Sequence, residues 1–206
     1  MSKPFFIVEF ELCSLKNFLD SVINVAICEI DEIEKRNKDE AYPEFEDYEA
    51  AFDFPIARID IACRAVLYEL VALVETKLQY IADEPWSQSS KHKGPQNIFD
   101  SDRIDNESFS KVKMVSDLRF NDIVALIEEH YRINLNSLPE WEKILELRNM
   151  VNSFKHSQGF MDFRKIRKWQ EYRFGQCYRV NTETAYSMIS SVRIFLKTLE
   201  SQVNSL

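Results

Sequence analysis

Glycine is scarce in this chain, three residues among 206, and there are only six prolines and no stretch in which valine, threonine or isoleucine alternates with polar residues. A β-sandwich or barrel needs frequent turns and period-two strands, so the composition argues against both and favours helices. Long apolar runs are missing too. Even the opening PFFIVEFELCSL is broken by Glu9 and Glu11, well short of the roughly 18 to 20 residues of a membrane span. That opening also lacks the basic lead and small-residue cleavage site of a signal peptide. Cys13, Cys28, Cys63 and Cys177 stand singly, without a C-x-x-C pair or neighbouring histidines. They read as buried thiols in a reducing, cytoplasmic setting, and no zinc site is expected. A phosphate-binding glycine loop and a G-x-S-x-G turn are absent as well, and no metal or cofactor is implied.

Hydrophobic residues make up 45% of the chain and charged residues 29%, the balance of a chain that folds rather than one that stays disordered. A length of 206 residues suits a single helical domain over 1–206, with long loops expected at about 37–55 and 83–107. The formal charge of −8 opposes broad, non-specific nucleic-acid binding. The distribution is uneven, however: Arg164, Lys165, Arg167, Lys168, Arg173 and Arg179 face a lone Glu171 within one short stretch.

Apolar spacing fixes the expected elements. Val8, Leu12, Leu15, Leu19, Val22, Ala26, Ile30 and Ile33 recur at three- and four-residue steps, the stripe of a long amphipathic helix. An acidic, aromatic connection follows, with Phe45, Tyr48 and Phe52 on a short helix closed by Pro55. The strongest core helix is expected from about Ile56 to Ile81, closed by Pro85. A third runs from about Ser110 to Tyr131. A fourth starts at SLPE, where Ser137 caps and Glu140 answers three positions later, and stops at Gly159. A last one spans about Thr182 to Val203. The fold class is therefore all-α, an antiparallel helical bundle of about five main helices.

The fourth helix carries LRNMVNSFKHSQG, residues 147–159. Ile144, Leu147, Val151 and Phe154 share one arc and form the buried stripe. Arg148, Asn149, Asn152, Lys155 and His156 fall on a separate arc, with Asn149, Asn152 and His156 one above another. An imidazole that titrates near neutrality moves protons to or from a 2′-hydroxyl or a leaving oxygen. A guanidinium grips a phosphate by paired hydrogen bonds and offsets transition-state charge. The set suits metal-free phosphodiester cleavage in RNA. The same residues also fit an ordinary wet helix face whose terminal cations complement the helix dipole.

Arg148, Asn149 and His156, with the lead-in EWEKILELRN, resemble the signature of the HEPN superfamily. One more residue separates Arg148 from His156 than in the longest usual form of that motif, which rotates the imidazole by about 100°. The resemblance implies a HEPN-like helical bundle that often dimerises, so that two such helices build one composite ribonuclease site. In that reading Arg148, Asn149 and His156 are catalytic, with Asn152 and Lys155 in support. FRKIRKWQEYRFGQCYRV then supplies cations Arg164, Lys165, Arg167 and Lys168 and the stacking ring of Trp169 for single-stranded RNA. The setting expected is a toxin–antitoxin or defence system, with RNA, a second copy or a partner protein as partners and no membrane. The alternative is a non-catalytic helical interaction or dimerisation module.

Overall fold

The computed structural model describes residues 5–38, 45–89, 114–157 and 180–205, with side chains placed for 7–36, 50–89, 114–155 and 180–205. Among these residues the protein is all-helical: α1 (Phe5–Lys38), α2 (Phe45–Gln88), α3 (Phe120–Tyr131), α4 (Trp141–Ser157) and α5 (Thr182–Asn204), with no strand. One buried cluster draws on all five, from Leu12 and Leu19 of α1 through Leu70, Val74 and Leu78 of α2 to Ile127, Leu147 and Phe195. The expected stripe of α1 goes inward as read, with Val8, Leu12, Leu19 and Ala26 buried and Leu15 and Val22 packed at its edge.

At 44 residues, α2 is the longest element described, roughly 66 Å at 1.5 Å per residue. It touches every other helix. Its extent corrects two expectations, because neither Pro55 nor Pro85 ends it. Residues 45–54, expected in a loop with one short helix, are the first turns of this same rod. A proline inside a helix removes one hydrogen bond and crowds the preceding turn, at a cost of about 3 kcal/mol. Here both rings are buried, as is Trp86 beside the second, and burial of that apolar surface offsets the loss.

Cross-helix polar contacts fix the register. Arg58 Nη1 meets Glu29 Oε1 at 2.7 Å between α2 and α1. Arg193 of α5 holds Glu9 of α1 at 2.9 Å. Inside, Lys77 Nζ lies 3.6 Å from Glu200 Oε1, an ion pair nearly closed to water. On the last helix, Asn181 caps the start by accepting from Thr184 N at 2.8 Å, a cap absent from the sequence-based expectations.

The entry to α4 differs from expectation. Ser137 Oγ donates to Asn134 O at 2.7 Å within a short 3-10 turn, Leu135–Ser137, and does not cap the helix. The turn delivers both Leu135 and Leu138 to the core. The first helical bond instead runs from Ile144 N to Glu140 O, 3.0 Å. Glu140 is left-handed (φ 65), which costs a residue with a Cβ roughly 1 kcal/mol. Its carboxylate, however, accepts from the buried Ser191 Oγ at 2.6 Å and ties α4 to α5. The third helix begins at Phe120 rather than near Ser110, after a 3-10 turn whose Asp117 carboxylate takes the Met114 N–H at 2.8 Å.

Tyr186 of α5 donates to the Asp20 carboxylate of α1. Burial, then that bond, push the phenol up to about 12, while the Tyr186 and Lys16 bonds hold Asp20 below the ordinary carboxylate range. A phenol with a folded pKa above its unfolded value of about 10 binds its proton more tightly when folded. Its contribution is complete below about pH 10 and is lost as pH climbs towards 12. Chemical denaturation should therefore find Tyr186→Phe less stable than the parent near pH 8, by a margin that narrows as pH rises from about 10 to 12. A margin independent of pH over that window would deny the phenol this role.

Candidate functional site

As expected for α4, Ile144, Leu147 and Val151 are buried, Phe154 is half-buried, and Trp141 and Met150 join them. The polar arc is less wet than a free helix face. Among its described side chains, Arg148, Asn149 and Asn152 are half-buried and only Lys155 is exposed.

Arg148 is held from two sides. Its Nε donates to Glu75 Oε1 of α2 at 3.0 Å, and its guanidinium carbon sits 3.5 Å from the centroid of the Phe120 ring. That ring stacks on Trp141 (6.0 Å, 10°), which in turn tilts against Phe195 (5.4 Å), and Trp141 Nε1 is satisfied by Asn136 Oδ1 at 3.1 Å. The guanidinium thus caps a column of rings reaching into the core, an arrangement that favours its planar cation over an ammonium. Two turns further along α4, Lys155 Nζ lies 5.4 Å over the ring of Tyr68. Tyr68 and Glu75 are themselves two turns apart on α2, so a pair of cation contacts at matching spacing sets how α4 lies on α2.

The remaining expected residues divide. Asn149 and Asn152 share the arc with Arg148, and their side chains make no hydrogen bond among the described residues. The backbone of His156 continues α4, whereas its side chain lies outside the described set, as do Arg164, Lys165, Arg167, Lys168, Trp169 and the expected stop at Gly159. Glu75, Tyr68 and Phe120 were missed as members of this constellation. The available signal was a single acid inside LVALVETKLQY, a charge on the flank of the most apolar helix. Such a charge calls for a partner on whatever packs there.

The cysteines need correction. Cys63 is buried, and burial raises its thiol above the ordinary value, but Cys13 and Cys28 are exposed on α1, away from its buried stripe. Cys177 is outside the described residues. Among the described residues no group of three or more His, Cys, Asp or Glu side chains could hold a metal ion. No described helix is long and apolar enough to cross a membrane. Comparison with protein-family models, curated proteins and solved structures finds no match to this chain.

Chemically, the Glu75 carboxylate offsets the Arg148 charge and commits Nε, while no hydrogen bond among the described residues uses the two terminal nitrogens of the fork. Both partners are partly solvated, 22% and 38% exposed at the side chain, so the pair is expected to contribute about 0.5–1 kcal/mol. A double-mutant cycle of Arg148→Ala and Glu75→Ala in urea should return a coupling of that size. Strict additivity would mean that Arg148 is held by the Phe120 ring alone.

Proposed function

We propose that the polar arc of α4, facing α2, is a site for RNA in a HEPN-like antiparallel bundle, and that it cleaves or binds RNA without a metal. Arg148 clamps the phosphate, His156 is the general acid or base, and Asn149 orients one of them. Asn152 and Lys155 support the substrate, and the basic run at Arg164, Lys165, Arg167, Lys168 and Trp169 grips the strand. In cleavage the 2′-oxygen attacks phosphorus as its proton leaves to a base, the bond to the 5′-oxygen breaks, and that oxygen regains a proton. The observation that carries this reading is the state of Arg148. Glu75 and Phe120 lock its orientation, while the terminal nitrogens of the fork make no bond among the described residues. A cation fixed in advance stabilises a developing phosphorane charge without reorganising first. Two copies of the chain facing each other across α4 would complete the site, and a cytoplasmic toxin–antitoxin or defence role fits such chemistry.

A second reading has its own support. Because Glu75 offsets the charge of Arg148 and the guanidinium sits over the Phe120 ring, the residue also suits an internal brace in a non-catalytic interaction or dimerisation module. Single-stranded RNA incubated with the protein in EDTA separates the two. The RNA reading expects cleavage or retention of the strand, with His156→Ala lowering the cleavage rate by about 10²–10⁴-fold at unchanged helical content. Intact and unbound RNA, or cleavage indifferent to His156→Ala and Arg148→Lys, would leave the interaction module as the function.

A further inference from the structure

A groove of about 530 Å³ opens between the first turns of α1 and the later turns of α2, away from the Arg148 arc. Its walls are mainly apolar, with Phe10 and Leu15 facing Leu73 and Tyr80, and Glu11 and Glu69 stand at its rim. Phe10 is 66% exposed and Tyr80 38%. The apolar surface continues beyond the groove along the same seam. Phe18 and Val25 follow Glu11 at seven-residue steps on α1 and are 47% and 51% exposed. On α2, Ala65 and Ile61 precede the groove residue Ala72 by seven and eleven positions and are exposed in turn. From Phe10 to Val25 the strip runs roughly 22 Å, the length of about four helical turns. Large exposed apolar side chains gathered in this way mark an interaction surface.

The charges identify the occupant. Neither Glu11 nor Glu69 has an ion-pair or hydrogen-bond partner among the described residues, and both are exposed. Lys77, the cation in the lining, already sits 3.6 Å from Glu200, so an incoming anion finds two free carboxylates and an engaged ammonium. A second copy fits poorly. Centred on the groove, a two-fold would bring Glu11 and Glu69 against their own equivalents; centred further along, it would press them onto the Phe18 and Val25 end, where Arg58 and Arg64, the cations flanking Ile61, are already paired with Glu29 and Asp60. Like charges and unpaired buried charges both oppose association.

We propose that this seam receives an amphipathic helix of another protein, whose large apolar side chains enter the groove and whose lysines or arginines meet Glu11 and Glu69. The mode is helix-in-groove, with apolar anchors at i, i+4 and i+7 along the strip and basic residues on its flank. The proposal is independent of the RNA reading of α4, since it uses other residues on another face of α2.

Fluorescence anisotropy on the full chain tests it with a labelled synthetic helix of leucine and lysine at amphipathic spacing, and with its counterpart carrying glutamate for lysine. The lysine peptide should bind with a Kd of about 10 μM and the glutamate peptide should not. Glu11→Lys with Glu69→Lys should weaken binding about tenfold or more, whereas Glu32→Lys with Glu129→Lys, an equal change in net charge at exposed sites away from the groove, should change it less than about twofold. Phe10→Asp should weaken it as well, with circular dichroism verifying the fold of each variant. Equal losses in the two charge variants would reduce the effect to general attraction and overturn the proposal. It would also fall if sedimentation revealed a dimer that Phe18→Glu dissociates, because the seam would then belong to a second copy.

Discussion

The burial of α2 is the constraint on which the rest of the structure rests. From Ala62 to Trp86 this helix sends Cys63, Val66, Leu67, Leu70, Val74, Leu78 and Ala82 inward with almost no exposure, and each of the other four helices packs against it. Most helical stability in a folded protein comes from packing of the apolar face, so the persistence of α2 through two prolines reflects the surface it covers rather than its own propensity. The one charge buried with it, Lys77, is tolerated because Glu200 of α5 lies beside it.

Its two flanks do different things. Towards α4, Tyr68 and Glu75 meet Lys155 and Arg148 and orient a polar arc in which two half-buried amides remain without partners among the described residues. Towards α1, the seam is apolar and acidic, with Phe10, Tyr80, Glu11 and Glu69 around an open groove. One rod thus meets the cations of α4 along one edge and, with α1, borders an acid-rimmed groove along the other. The net charge of −8 averages the two and describes neither.

Much of the fold was legible in the sequence, because helical periodicity records burial directly. The stripes of α1 and α4 and the extent of α5 were read from spacing alone, while the Asn181 cap that starts α5 was not singled out. Features that depend on what lies across the interface were not legible. Pro55 and Pro85 read as stops because their local cost is visible in sequence while their burial is not. Ser137 and Glu140 have the spacing of a cap, yet Glu140 bonds Ser191, 51 positions on. Cys13 and Cys28 face water because the side of α1 that carries them packs on nothing described. For the candidate site, the arc of Arg148, Asn149 and Asn152 was identified, but Glu75, 73 residues earlier, could not be paired with Arg148 by spacing.

Native-state amide hydrogen exchange tests the primacy of α2 most directly, since it ranks local openings against global unfolding. The account predicts that the amides of residues 63–82 exchange last and together, at the free energy of global unfolding, with α1 and α3 opening below it. Exchange across 63–82 at a lower free energy than in α1 or α5 would contradict it, and would mean that the bundle holds together without the helix on which it is here built.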